Sequence, residues 1–182
     1  MDELVDILDV DGNSTGKTCL KSEAHKKGLW HPCIHVWLYT KKGQVLIQKR
    51  IETKDTFPNK WDVSVAGHIG AGEDVLIAAQ REVFEELGVN VEVSDFQFIG
   101  NHKTDIKHNE NLIDREFHYI YITEFKNSID DLILQAEEVS DIRLIPINQL
   151  KTQFSDDKFV DEFVPYSEAY FVKVFQAIKA II

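Results

Sequence analysis

Glu82, Glu85 and Glu86 stand at positions i, i+3 and i+4, so a helix through them would gather three carboxylates on one face. Like charges at that spacing repel by a few tenths of a kcal/mol per pair, and a fold gains nothing from them alone. A divalent cation reverses the sign, because clustered carboxylates are hard oxygen ligands. Glu73 can join them from the loop before the helix, where Gly67, Gly70 and Gly72 permit tight turns and close approach of a ligand. The chemistry such a group suits is metal-assisted attack by water. Three glutamates on a helix face are, by themselves, more often solvated surface.

The elements that must position them follow from periodicity. Val75, Ala79, Val83 and Leu87 recur every four positions, giving an apolar stripe from Asp74 to Leu87, with Gly88 placed to end the helix. Leu4 to Val10 reads as a strand running into the turn Asp11-Gly12-Asn13. Cys33 to Thr40 and Val45 to Lys49 read as a strand pair, Trp61 to Ala66 as another strand, and Val89-Val91-Val93, Phe96 to Ile99 and Phe117 to Thr123 as further strands. Val160 to the end, with Phe163, Tyr170, Phe171, Val174, Phe175 and Ile178, reads as a second long amphipathic helix. The mixture is α+β or α/β, and with no repeat or low-complexity linker, residues 1–182 read as one domain.

Composition narrows the function classes. A length of 182 residues with 43% hydrophobic and 28% charged residues suits one domain with a sizeable core. The net charge of -11 disfavours nucleic-acid polymers and anionic membranes as partners. Cys19 and Cys33 are too few for a disulfide framework or a zinc quartet, and Cys33 in a strand reads as a buried small hydrophobe. The start Met1-Asp2-Glu3-Leu4 lacks the pattern of a signal peptide, and no apolar run reaches a membrane span, so the expected compartment is the cytoplasm.

Gly67, five residues, Glu73, seven residues, then Arg81-Glu82-Val83-Phe84-Glu85-Glu86-Leu87-Gly88-Val89 matches every fixed position of the Nudix box (residues 67–89), and the chain resembles Nudix hydrolases. The resemblance implies a mixed-sheet αβα sandwich and hydrolysis of a diphosphate linkage in a nucleoside or isoprenoid diphosphate derivative. It implies Mg2+ or Mn2+ as cofactor, with Glu82, Glu85 and Glu86 as ligands and Glu86 or Glu82 orienting or deprotonating water. Arg81 would hold the glutamates, Glu73 would support the loop or the metal shell, and Gly67 would supply backbone geometry and a carbonyl ligand.

A second likeness narrows the branch. Gly28-Leu29-Trp30-His31, Val36-Trp37-Leu38-Tyr39, Leu46-Ile47-Gln48-Lys49-Arg50, Lys54, Phe57-Pro58, Trp61-Asp62 and Ser64-Val65-Ala66-Gly67-His68 are similar to isopentenyl-diphosphate isomerases and their hydrolase relatives. So is an N-terminal hairpin extension over about residues 1–30. Isomerases carry a proton-transferring cysteine immediately before the box glycine, where this chain has Ala66, and usually a degenerate box, so the resemblance implies hydrolysis, with isomerisation as the alternative. His25, His31 and His68 sit near where isomerase histidines bind their metal.

Outside the box, Arg50, Lys54 and His68 are the candidates for substrate contact, with Lys60 a weaker one. His25 and His31 are read as structural or substrate-proximal rather than metal-bound. Trp30, Trp37 and Trp61 could stack on a base or a prenyl chain, though Trp37 reads as core. His102, Lys103, Lys107, His108 and Arg115 read as a basic loop, more solvated than substrate-binding, and Glu138 beside Glu137 as a weak candidate for an additional carboxylate. Exposed edge strands and the C-terminal helix leave a homodimer open.

Overall fold

The computed structural model describes residues 2–154 and 160–182. Nine strands and four helices among these residues follow in the order β1 (Leu4–Leu8), β2 (Ser14–Leu20), α1 (Lys21–Lys27), β3 (His31–Tyr39), β4 (Gln44–Arg50), β5 (Trp61–Asp62), β6 (Val65–His68), α2 (Val75–Leu87), β7 (Gln97–Asn109), β8 (Leu112–Glu124), β9 (Val139–Pro146), α3 (Ile147–Gln153) and α4 (Glu168–Lys179). β1 and β2 form the expected N-terminal hairpin. The main sheet runs β5-β4-β3-β8-β7, with β6 on β3 and β9 on β4. The β3–β8 pair is parallel and every other pair antiparallel, so the sheet is mixed.

Period-2 alternation sends β3 to two cores. Ile34, Val36 and Leu38 pack with Ala78, Ala79, Val83 and Leu87 of α2. Trp37 and Tyr39, with Ile120 and Ile122 of β8, pack under Tyr170, Phe171, Val174, Phe175 and Ile178 of α4. A helix on each face makes the αβα sandwich that the sequence led us to expect.

β3 and β4 meet only at Tyr39–Val45 and then diverge. The wedge between them is filled by the segment 61–68, whose first part pairs with β4 and whose second part pairs with β3. Ser64 spans the wedge, accepting from Leu38 N at 2.8 Å and donating to Leu46 O at 2.5 Å. This divergence is why Trp61 to Ala66, expected as one strand, is two. Residues at the mouth of the wedge face a cavity rather than a neighbouring strand.

Three other expectations are corrected. Val89-Val91-Val93 is not a strand: Val89 and Val91 are buried as a coil against α2, and Val93 opens a short 3-10 turn. The C-terminal helix starts at Glu168, capped by Ser167, because Pro165 interrupts any helix from Val160; Phe163 is buried from the preceding coil. The basic segment 102–115 is no loop, because β7 and β8 continue through it as a long hairpin.

Candidate active site

Asp74 caps α2 by accepting from Leu76 N and Ile77 N, and Gly88 ends it in the left-handed conformation at φ 70°. The helix therefore begins and ends where sequence chemistry placed it, and its register puts Glu82 and Glu86 inward beside Val83 and Leu87. Glu82 is 8% and Glu86 3% exposed, whereas Glu85 is at the rim with 47% of its side chain accessible.

Arg81 organises the group. Its guanidinium donates to both Glu73 oxygens at 2.9 Å, to Glu82 Oε1 at 2.8 Å, to Glu85 Oε2 at 3.0 Å and to the His68 carbonyl at 3.1 Å. Glu73 also accepts from Gly70 N at 2.9 Å, tying the glycine loop to the helix. Glu86 accepts from Gln48 Nε2 at 2.9 Å. Gly67 lies directly against the Glu82 carboxylate. Burial raises Glu82 to about 7 despite Arg81, and burial with the Glu82 charge raises Glu86 to about 8. The oxygens of these two inward carboxylates are hard donors that could hold Mg2+ or Mn2+.

A second group adds Glu116, which the sequence did not point to, to the three histidines that the isomerase likeness had set together. His25, His31, His68 and Glu116 bring one ligand atom each to within 4.8 Å of one another. His25 Nε2 and His31 Nε2 are 3.2 Å apart, an approach that requires a proton or a cation between two nitrogen lone pairs. The buried His68 Nε2 has no hydrogen-bond partner and stands 3.5 Å from Glu116 Oε1. Burial and the neighbouring His31 and His68 lower His25 to about 4; burial lowers His68 to about 4 despite Glu116. Burial alone would raise Glu116, but the facing His31 and His68 hold it well below the usual carboxylate range. The Glu116 carboxylate raises the His31 pKa against its burial; imidazole nitrogens and a carboxylate oxygen gathered this closely are a donor set that suits a transition metal. His25 and His31, read from the sequence as structural or substrate-proximal, lie where they could hold an ion together with His68 and Glu116.

Glu82 and Glu86 of the first group and His25, His68 and Glu116 of the second line one cavity, with Arg50, Lys54, Asp62, Ala66, Glu85 and Tyr166, while His31 lies behind them. Glu73 and Arg81 stand behind the lining rather than in it. Lys54 is ion-paired with Glu138, which brings that weak candidate into the cavity, while Glu137 is exposed. Burial and the Arg50 charge lower the Lys54 pKa. Arg50 is turned inward: it donates to Asp62 at 3.0 Å and to Thr56 O at 2.9 and 3.2 Å, so its donors support the cavity wall. Lys60 points away, to Asp161 O at 2.7 Å. Trp37 and Trp61 are core, and Trp30 packs on Phe117 under Lys103.

Sequence reasoning missed Glu116, Asp114, His118, His35 and Tyr166. The signal was there for three of them: Asp114, Glu116 and His118 alternate along one face of a strand, but that strand was begun only at Phe117. His35 and Tyr166 carried no comparable pattern.

Residues 29–165 match the family model for the NUDIX domain. The chain is 37% identical over 174 residues to an uncharacterized Nudix hydrolase of Clostridium acetobutylicum, covering 92% of this chain and 82% of that one. It is 33% identical over 183 residues to Nudix hydrolase 3 of Arabidopsis thaliana, where it covers 98% of this chain but spans only 23% of the plant protein. An isopentenyl-diphosphate Delta-isomerase of Serratia proteamaculans is 34% identical over 128 residues, 69% of this chain and 68% of that one. Among solved structures, a protein from Deinococcus radiodurans superposes with a TM-score of 0.68 at 20% identity, covering 85% and 90% of the two chains, a likeness of fold.

Proposed function

This chain belongs to the Nudix hydrolase family, and from that premise we propose that it cleaves the diphosphate linkage of a small phosphorylated molecule with Mg2+ or Mn2+ bound at Glu82, Glu85 and Glu86. The observation that carries this reading is the pair of inward carboxylates, Glu82 held by Arg81 and Glu86 by Gln48, in a cavity that also holds Lys54. When bound, the cation neutralises phosphate oxygens and lowers the pKa of water.

The chain's own residues do the rest. Arg81 fixes Glu73, Glu82 and Glu85 in one geometry and ties them to the backbone of His68. Gln48 aims one Glu86 oxygen, leaving the other to orient water and accept its proton. Lys54, released from Glu138, would meet a phosphate oxygen, and Glu138 would then be free as an additional carboxylate. Gly67 leaves room for Glu82, and its carbonyl is a further oxygen donor.

Incubation of the protein with Mg2+ and a panel of nucleoside diphosphates, nucleoside diphosphate sugars and prenyl diphosphates tests the proposal. Release of phosphate or a monophosphate is expected, and Glu86→Gln should abolish it with the fold intact. Absence of hydrolysis across the panel, or undiminished turnover by Glu86→Gln, overturns it.

The histidine–Glu116 group favours a second reading, allylic isomerisation of isopentenyl diphosphate, because it places a transition-metal donor set in the same cavity. Against it, Ala66 can neither donate nor accept a proton. Proton exchange at the substrate without phosphate release would establish it.

A further inference from the structure

β1 lies outside residues 29–165, the part of the chain that matches the family domain, yet it is bonded to the glycine loop of the box. Val5 forms an isolated antiparallel bridge with Gly70, Ala71 N donates to Leu4 O at 2.8 Å, and Gly72 N donates to Asp6 Oδ2 at 2.9 Å. The strand is itself fixed to the body of the protein. Val5 and Ile7 are buried with Ala24 of α1, and Leu8 N donates to Trp30 O at 2.8 Å. Glu3, immediately before the strand, lines the cavity.

Asp6 is out of place in β1 by composition, because aspartate is depleted in strands. Between the buried Val5 and Ile7, period-2 alternation turns it away from the small core they share with Ala24. It meets the backbone of Gly72, which stands at φ 73° in a loop whose glycines give it wide conformational freedom. The restraint does not stop there. Glu73, next in the chain, closes the turn on Gly70 with its own N–H and with Oε2, both at 2.9 Å. Both Glu73 oxygens then accept from Arg81, and Arg81 holds Glu82 and Glu85.

We propose that Asp6 is a positioning residue for the metal site: by holding Gly72 it fixes the turn that presents Glu73 to Arg81, so that a hairpin outside the family domain sets how tightly the box glutamates bind Mg2+. The inference rests on the assignment of Mg2+ to Glu82, Glu85 and Glu86 and deepens it. Ligands held in place before the ion arrives lose less conformational freedom on binding it, and that difference is read as affinity.

The test is calorimetric titration with Mg2+ in the absence of substrate. Asp6→Ala is expected to weaken binding by about 3–10-fold, less than the 10–100-fold typical of a partner bonded directly to a ligand. Asp6→Asn keeps a side-chain oxygen that accepts from Gly72 N and should stay within about twofold of the wild type. Thr15→Val removes another hydrogen bond of the hairpin, Thr15 Oγ1 to Ile7 O at 2.6 Å, without touching the loop, and should leave Mg2+ affinity unchanged. In the metal-free protein, amide hydrogen exchange at residues 70–73 should be faster in Asp6→Ala than in the wild type. Asp6→Ser, whose hydroxyl is one bond too short to reach Gly72 N, gives the same reading should Asp6→Ala fail to fold. Unchanged affinity in Asp6→Ala, an equal loss in Thr15→Val, or no rescue by asparagine overturns the inference. A wild type that takes up no Mg2+ overturns the metal assignment and the inference with it. An Asp6-dependent Mg2+ affinity in a protein that hydrolyses no diphosphate would sink the proposed reaction and support the role of Asp6.

Discussion

A Cβ on residue 67 would lie 2.1 Å from the carboxyl carbon of Glu82, and 2.4 Å from each of its oxygens. The strand and the helix have approached so closely that a glycine is the condition for Glu82 to occupy its place. Gly67→Ala therefore leaves the helix intact but swings Glu82 out of the cavity. We expect a loss of about 10–100-fold in Mg2+ affinity or activity, the range typical of lost support for a metal ligand. Magnesium titration by calorimetry checks this, and unchanged affinity would show that Glu82 is not where the ion binds.

Arg81 should not be replaceable by lysine. It makes a bidentate contact with Glu73 while reaching Glu82 and Glu85, and a point charge on a flexible stem cannot reproduce that fork. Arg81→Lys should lower kcat by roughly 10-fold or more and raise the Mg2+ concentration needed for half-maximal rate, with a smaller change in KM for substrate. Full activity at ordinary Mg2+ would show that the glutamates position themselves.

The stability of the metal-free protein should fall as pH rises. Folding raises Glu82 from 4.5 to about 7 and Glu86 from 4.5 to about 8. Between the unfolded and folded values the folded state binds the extra protons, so stability present near pH 5 is lost as pH climbs through 7 to 8. Saturating Mg2+ binds the deprotonated pair, so the gain in Tm on adding the ion should grow over the same window. Thermal melts in EDTA and in Mg2+ across this range measure both slopes. A metal-free Tm that rises with pH would contradict the placement of these two carboxylates.

His68→Ala should remove a transition-metal site without abolishing the Mg2+ requirement. The two donor groups share a cavity but not their ligands. Metal analysis after exposure to Mn2+ or Zn2+ is expected to show reduced uptake in the variant, with Mg2+ binding changed much less. Equal loss of both would mean that the groups act as one site.

Tyr170 anchors the cavity wall at His35, accepting from Trp37 Nε1 at 2.9 Å and meeting His35 Nδ1 at the same distance. Tyr170→Phe deprives two buried groups of their partner, and urea unfolding should register a loss of about 1–3 kcal/mol. A loss near zero would mean that the cavity wall tolerates the unpaired groups through local rearrangement.

What the sequence alone determined was everything that lies within one helix and its entry loop. Glu73, Arg81, Glu82, Glu85 and Glu86 are close in the chain, so helical periodicity, the Asp74 cap and Gly88 together dictated their arrangement before any fold was known. Leu4 to Val10 and the turn after it were legible in the same local way, whereas the N-terminal hairpin and the αβα sandwich were expected from the family resemblance. The tertiary structure alone decided what meets across the sheet. Glu116 reaches His31 because β3 and β8 pair in parallel, and His68 reaches both because β6 pairs with β3 after the wedge opens. Those pairings join residues up to 85 positions apart (31 to 116), and no local spacing encodes such a register; it is set by burial of the two cores on either side. For the same reason Arg50, a free cation on paper, was spent on Asp62, and His118, unremarkable in the chain, was left with an unpaired nitrogen in the cavity wall.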